Sequence, residues 1–471
     1  DFGDFSSNIA MALAKTLRKN PLEIAELIQS ELKIDKEIIS ESSVTPPGFL
    51  NFRVAKSFYQ ETVTHIIAMA DTYGRTDTGK SKNANVEFVS ANPTGPLTVG
   101  HGRQAVLGDT VANILEWHRY EVTREYYYND AGRQMRILGQ SVAARYLDQV
   151  GQESDFPEDG YEGEYIKTIA KEILDQHGDG LSSDDKIFRS YAEELIFADI
   201  KKTLKTIGIN HDIFSNEQTY YATGAIDALV EDLRNKDLIY ESDGATWLKG
   251  TILGLEKDRV YYKSSGEPTY RLPDTAYHRE KLNRNFDLII DIFGADHADT
   301  YPDVLAALDA LGIDISSIRV LIHQFVTLLK SGEKVKMSTR KATFVTLEEL
   351  INQVGSDVVR YFFIMRSMNS HLNFDLDLAT DQSENNPVYY LQYAHARICN
   401  IIKNGAEKGL AVTGEFDHTL LSDDAAISLI KFLVEFPEVM AIALKKLEPV
   451  SYTHLRAHET SLHLVCRLLL E

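Results

Sequence analysis

"ANVEFVSANPTGPLTVGHGRQAVLGDTVANILEW", residues 84–117, decides how the rest of the chain is read. Its first residues alternate and then break on Pro93, the pattern of a buried strand running into a loop. Between Ser90 and Gly102 that loop holds two prolines and three glycines, which make it stiff and bare. From about Gly102 to His118 the apolar residues Ala105, Val106, Val111, Ile114 and Leu115 fall near helical spacing. A glycine-lined turn between strand and helix lets backbone amides approach a phosphate, and the helix N-terminus adds partial positive charge there. His101, bracketed by Gly100 and Gly102, is expected to project from the first helical turn. An imidazole there can donate to a phosphate whose charge grows as a nucleophile attacks. On spacing alone, a surface or capping histidine is the alternative.

Working outward, "EVTREYYYND" reads as a second strand and "AGRQMRILGQSVAARYL" as a second helix. Strand–helix–strand–helix order predicts a parallel sheet with crossovers. Residues 151–240 are mostly helical and acidic, an expected insertion between two halves of that sheet. Strand signals return in "DGATWL", "DRVYY", "FDLIIDIFGAD" and "IRVLIHQFVTLL". Upstream, residues 1–79 read as a small α+β domain, followed by the linker-like "GRTDTGKSKN". From Asn385 onward the pattern is helical again.

The 471 residues are too many for one core. A formal charge of −21 works against casual nucleic-acid binding but leaves room for a local basic strip such as Lys201/Lys202/Lys205. Two cysteines exclude a disulfide framework, and no run of eighteen apolar residues exists, so a cytoplasmic chain is expected.

A second segment sharpens the reading. "KSGEKVKMSTRKATFVTLEEL" (330–350) is a basic loop after a strand, leading to a helix whose start carries a capping box, Thr346 with Glu349. One half of the sheet offers His101 and glycine amides, the other a cationic loop, and together they would clamp a triphosphate. "TVGH" with "KMSTR" resembles the paired HIGH and KMSKS signatures of class I aminoacyl-tRNA synthetases. Within that class the chain resembles the arginyl-tRNA synthetases from residue 1 to about 449, notably in "YYYNDAGRQM", "YRLPDTAYHREK", "GADH" and "NPVYYLQYAHARICNI".

The resemblance implies an α/β fold: a doubly wound, Rossmann-like parallel-sheet catalytic domain (80–384), an N-terminal α+β tRNA-elbow-binding domain (1–79) whose start is missing, and a truncated C-terminal α-helical anticodon-binding bundle (385–449). It implies ATP as substrate with Mg2+ on its phosphates, L-arginine and tRNA(Arg) as partners, no metal ligands of its own, and a monomer away from membranes. Pro93, Gly95, Gly100, His101, Gly102, Lys336, Met337 and Ser338 are implied at ATP, with Thr98, His101, Lys336 and Arg340 in catalysis. Two departures stand out: Thr98 replaces the first histidine of HIGH, and Thr339 the second lysine of KMSKS, so Lys336 and then Arg340 are the cations expected at the leaving phosphates.

A guanidinium is planar and permanently charged, so its pocket needs carboxylates placed for forked hydrogen bonds. Glu87, within "NVEFV", and Asp274, just after Pro273, are candidates. Their alternatives are an edge-strand glutamate facing water and an N-cap for "TAYHREKL". By resemblance, Glu87, Asn92, Tyr270 and Asp274 hold arginine, Asn129, Asp130 and Gln134 line the pocket, and Asp296 and His297 lie near the ribose or the arginine backbone. Residues 450–471, "VSYTHLRAHETSLHLVCRLLLE" after Pro449, match nothing expected of the family and read as a non-native tail, or else as a divergent terminal helix.

Overall fold

An antiparallel sheet opens the chain, with β1 (Phe5–Ser7) and β2 (Ile39–Thr45) flanking β3 (Phe49–Val54). The computed structural model describes residues 3–130, 132–335, 345–410 and 416–450. Helices α1 (Ile9–Leu17) and α2 (Pro21–Glu31) cover this first sheet through Ala10, Ile24, Ala25 and Leu50. Asn20 caps α2 by accepting from the Leu22 amide, with Pro21 at the first helical position. Helix α3 (Lys56–Met69) then leads toward the second sheet.

That second sheet is built from β4 (Asn83–Glu87), α4 (Val99–Trp117), β5 (Glu121–Tyr128), helices α5 (Gly132–Gln149), α6 (Glu164–His177) and α7 (Ile187–Thr206), and β6 (Ile213–Asn216). After α8 (Glu217–Ala222) and α9 (Ala225–Asn235), a separate antiparallel sheet of β7 (Ile239–Ser242), β8 (Ala245–Leu248) and β9 (Arg259–Tyr262) intervenes. The chain returns through α10 (Arg271–Asn283), β10 (Leu288–Gly294), α11 (Tyr301–Ala310) and β11 (Ile318–His323). All pairings are parallel, in the order β11-β10-β4-β5-β6. The chain winds one way from β4 to β6 and the other way through β10 and β11. The topological switch point therefore lies between β4 and β10, where doubly wound sheets open a crevice at the strands' carboxyl ends.

Four expectations change. Ala84, Asn85, Val86 and Glu87 are all buried, so β4 does not alternate; a central parallel strand is covered on both faces. Helix α4 starts at Val99, not Gly102, because Thr98 and His101 form a capping box that adds a turn. Ile213–Asn216, in the segment read as mostly helical, is the edge strand of the main sheet. "IRVLIHQFVTLL" is two strands: after His323, β12 (Val326–Lys330) leaves to pair with β13 (Glu333–Lys334) and, past α12 (Leu347–Val354) and α13 (Ser356–Ile364), with β14 (Leu372–Asp375). Buried Arg103 fixes that break by donating to Gln324 O at 2.6 Å and Ser367 O at 3.0 Å.

Beyond α14 (Leu376–Thr380), the helical region holds α15 (Pro387–Glu407) and α16 (Asp424–Lys446). Pro437 inside α16 has no N–H for the carbonyl four residues back. That carbonyl, Leu433 O, instead accepts from the Tyr73 hydroxyl at 3.0 Å. No helix of the described residues is long and apolar enough to cross a membrane.

Candidate active site

Main-chain strain marks the loop that leaves β4. Val89 and Ser90 hold φ of 70° and 44°, a left-handed geometry that a β-branched valine rarely adopts. Several contacts hold it there. The Ser90 hydroxyl donates to Glu87 Oε1 at 2.9 Å and accepts from the Tyr127 amide at 3.1 Å, while buried Tyr126 donates to Ala91 O. Asn92 accepts from the Asn129 amide at 2.9 Å and donates to Gln134 Oε1 at 2.8 Å, which brings three predicted pocket residues together. Tyr165 donates to Thr94 O at 2.8 Å, and its hydroxyl lies where a side chain at Gly95 would point.

Glu87 is buried at the end of β4 and does not face water. Its Oε2 accepts from Tyr277 at 2.9 Å and from the Lys281 ammonium. Lys281 also pairs with Asp291 on β10 at 2.7 Å, and His278 Nε2 lies 3.3 Å from the same Asp291. The ligand atoms of Glu87, His278 and Asp291 lie within 4.8 Å of one another, a grouping capable of holding a metal ion, but the Lys281 cation already pairs with both carboxylates. Burial would push Asp291 up; the charge of Lys281 and the bond from His278 outweigh it and hold the carboxyl well below its usual range.

Asp274 is not an N-cap: α10 begins at Arg271, and Asp274 sits in its first turn. Neither carboxylate oxygen has a hydrogen-bond partner among the described residues. Burial, with the Glu87 charge adding to it, pushes Asp274 up to about 6. Nearby Glu217 is buried, accepts from Tyr127 at 3.2 Å, and is pushed up to about 7 by burial and by the Asp274 charge. Asp130 adds a further acidic group, and its buried Oδ1 has no hydrogen-bond partner among the described residues. Carboxylates so short of cations would be stabilised by one. Tyr270 and His297 remain solvent-facing, 63% and about 58% exposed, so these two stand at the rim.

On the other side of the switch point, Thr98 Oγ1 accepts from the His101 amide at 3.3 Å, and His101 Nδ1 accepts from the Thr98 amide at 3.2 Å. Because Nδ1 accepts, the neutral ring carries its proton on Nε2. Burial lowers His101 to about 4, so the ring is neutral at pH 7. Gly100 is open, with only Thr98 Oγ1 near a would-be Cβ, whereas Gly102 is packed: a Cβ would lie 2.5 Å from Leu347 Cδ1. Pro93 is buried. The second capping box, Thr346 with Glu349, forms as read, and Thr346 bridges Thr98 while the Leu347 amide donates to Leu97 O at 2.8 Å. The two helix N-termini thus lie side by side. Lys336, Met337, Ser338 and Arg340 lie outside the described residues.

The family model for the class I (R) tRNA synthetase catalytic domain matches residues 62–361. The arginyl-tRNA synthetase N-terminal domain matches 1–54, and the DALR anticodon-binding domain 391–458. An arginine–tRNA ligase of Desulfotalea psychrophila is 50% identical over 457 residues, covering 96% of this chain and 83% of the relative. The chain belongs to the arginyl-tRNA synthetase family. A crystal structure from Campylobacter jejuni, assigned to the arginyl-tRNA synthetases, superposes with a TM-score of 0.77 at 30% identity, covering 88% of this chain and 91% of that one. The Thermus thermophilus arginyl-tRNA synthetase shares the fold, with a TM-score of 0.68 at 20% identity over 96% of this chain and 84% of its own.

Sequence reasoning missed several residues of this synthetase site. Tyr277, His278 and Lys281 fall three, four and seven residues after the predicted Asp274, one polar stripe on α10 facing the strands, and that periodicity is a signal. Glu217 and His323 gave none. His323 ends β11 with a buried Nε2 that has no hydrogen-bond partner among the described residues, 3.8 Å from a Cβ placed on Gly294.

Proposed function

We propose that Glu87 and Asp274 bind the guanidinium of L-arginine in a chain that joins arginine to its tRNA at the expense of ATP. The carrying observation is Asp274, a half-buried carboxylate without a hydrogen-bond partner among the described residues, beside Glu87 and Glu217. Fixed, partly desolvated acceptors favour a forked cation over a point-like ammonium, which leaves part of the fork unpaired. Asn92, held by Asn129 and Gln134, suits the ammonium or carboxylate end of the substrate. Tyr270 adds a neutral hydroxyl, while Asp130 and His297 complete the rim.

In the first step an arginine carboxylate oxygen attacks the α-phosphorus of ATP, and the bond to the bridging oxygen of pyrophosphate breaks. The protein need only position and stabilise charge. His101 Nε2–H donates to the phosphate, the loop Pro93–Gly95 and the uncrowded Gly100 line its approach, and Thr98 holds the His101 ring by its amide. Gly102 acts through packing. Lys336, with Met337 and Ser338, and then Arg340 supply cations and contacts at the leaving phosphates, and Mg2+ arrives on ATP. In the second step a terminal ribose hydroxyl of tRNA takes the arginyl group, releasing AMP. Residues 80–384 carry the catalysis, 1–79 the tRNA elbow and 385–449 the anticodon contact, in a cytoplasmic monomer.

Thermal stabilisation by each of the twenty amino acids, with ATP and with or without tRNA, tests this. A shift with arginine alone, lost in Asp274→Ala, is expected; an equal shift with lysine overturns the pocket assignment.

A further inference from the structure

We infer that Lys281 is a positioning residue for arginine selection, holding Glu87 by one carboxylate oxygen so that the other keeps an open acceptor for the substrate. This rests on Glu87 being an arginine ligand. Lys281 is fully buried on α10, and its ammonium and the Tyr277 hydroxyl both donate to Glu87 Oε2. Among the described residues, Glu87 Oε1 accepts only from the Ser90 hydroxyl. A carboxylate oxygen has two acceptor sites, so Oε2 is filled and Oε1 is half open. The ring of Tyr277 is fixed by stacking on Tyr127, 4.1 Å between centroids, which keeps the second donor in place.

The same lysine connects Glu87 to the main chain of Asp274. From Lys281 the contacts continue to Asp291 at 2.7 Å, to His278 Nε2 at 3.3 Å, and from His278 Nδ1 to the carbonyl of Asp274 at 2.8 Å. Both imidazole nitrogens face oxygen acceptors, so the ring donates from both when protonated. Lys281 and protonated His278 then balance Glu87 and Asp291. The charge left for the substrate belongs to Asp274 and Glu217. With Oε2 of Glu87 already filled, a compact ammonium gains one contact there, whereas a planar guanidinium spans from Oε1 toward Asp274. Lys281 therefore sharpens discrimination between arginine and lysine as well as orienting Glu87.

Lys281→Met alone leaves two buried carboxylates facing each other, so the decisive variant pairs it with Asp291→Asn. In the chain as it stands, with a non-hydrolysable ATP analogue and tRNA, calorimetric titration is expected to show arginine Kd rising roughly 30-fold, the loss of one charged hydrogen bond's worth of orientation. ATP Kd stays unchanged, and the arginine-to-lysine affinity ratio falls. A double variant with wild-type circular dichroism, wild-type arginine Kd and wild-type discrimination overturns the inference and leaves Lys281 a core ion pair. Glu87→Gln separates the levels. Unchanged arginine affinity in that variant removes the underlying reading, whereas weakened affinity beside an unaffected Lys281 variant removes only this inference.

Discussion

Replacing Asp274 with asparagine keeps its shape and removes its charge. In the folded protein its carboxyl is raised from 3.8 to about 6, chiefly by burial. At full weight such a shift costs about 3 kcal/mol; solvent screening of a half-buried group reduces this to on the order of 1 kcal/mol. The sign follows from linkage. A carboxyl raised on folding is disfavoured in its ionised form, so the cost is complete above about pH 6 and vanishes below its usual 3.8. Asp274→Asn is therefore expected to raise Tm by roughly 2 °C at pH 7.5, a gain that fades toward pH 4. Binding moves the other way. Loss of a charge-assisted hydrogen bond to a guanidinium costs about 1.5–3 kcal/mol, so arginine Kd is expected to rise roughly 10- to 150-fold. In the wild type, arginine affinity should fall as pH drops through about 7 and then about 6, because the substrate must displace protons from Glu217 and Asp274, and the variant should lose the Asp274 part of that acid limb while keeping the part due to Glu217. Scanning calorimetry gives the first effect and isothermal titration between pH 5 and 8 the second. A variant that is less stable and binds arginine normally would refute the reasoning.

His101→Ala removes both the Nε2 donor and one half of the capping box, so arginine-dependent pyrophosphate exchange should fall about 10²- to 10³-fold, with about 1 kcal/mol lost in chemical unfolding. Gly108→Ala places a Cβ 2.2 Å from Phe88 Cγ, both residues being buried where α4 crosses β4; urea denaturation should show a loss of about 1–3 kcal/mol. Tyr73→Phe leaves the Leu433 carbonyl, freed by Pro437, without its donor, and should cost about 1–2 kcal/mol in the same assay with arginine Kd unchanged.

Much of this architecture was legible in local pattern. The strand–loop–helix at 84–117 and the box at Thr346 and Glu349 declare themselves because capping and burial act over a few residues. What the sequence concealed depends on contacts distant along the chain. Whether "IRVLIHQFVTLL" is one strand or two is decided by Arg103, more than 200 residues earlier, which anchors the carbonyl of Gln324. Ile213–Asn216 reads as a short break among helices, yet pairing with Glu125–Tyr128 makes it a sheet edge. Within the site, Glu87 and Asp274 could be proposed from residue type, but Lys281, the partner of Glu87, and Asp291 beyond it only from helical phase on α10 and sheet register, which places Asp291 opposite Glu87. Glu217, at the start of α8, becomes a pocket acid solely through the fold.

The most direct measurement is the ATP-dependent attachment of radiolabelled amino acids to a tRNA(Arg) transcript by this chain, with arginine and lysine compared at equal concentration. Acid-stable incorporation of arginine, none of lysine, and loss of the signal in Asp274→Ala is the predicted result. Incorporation of lysine at a comparable rate, or arginine charging that survives Asp274→Ala undiminished, would contradict it.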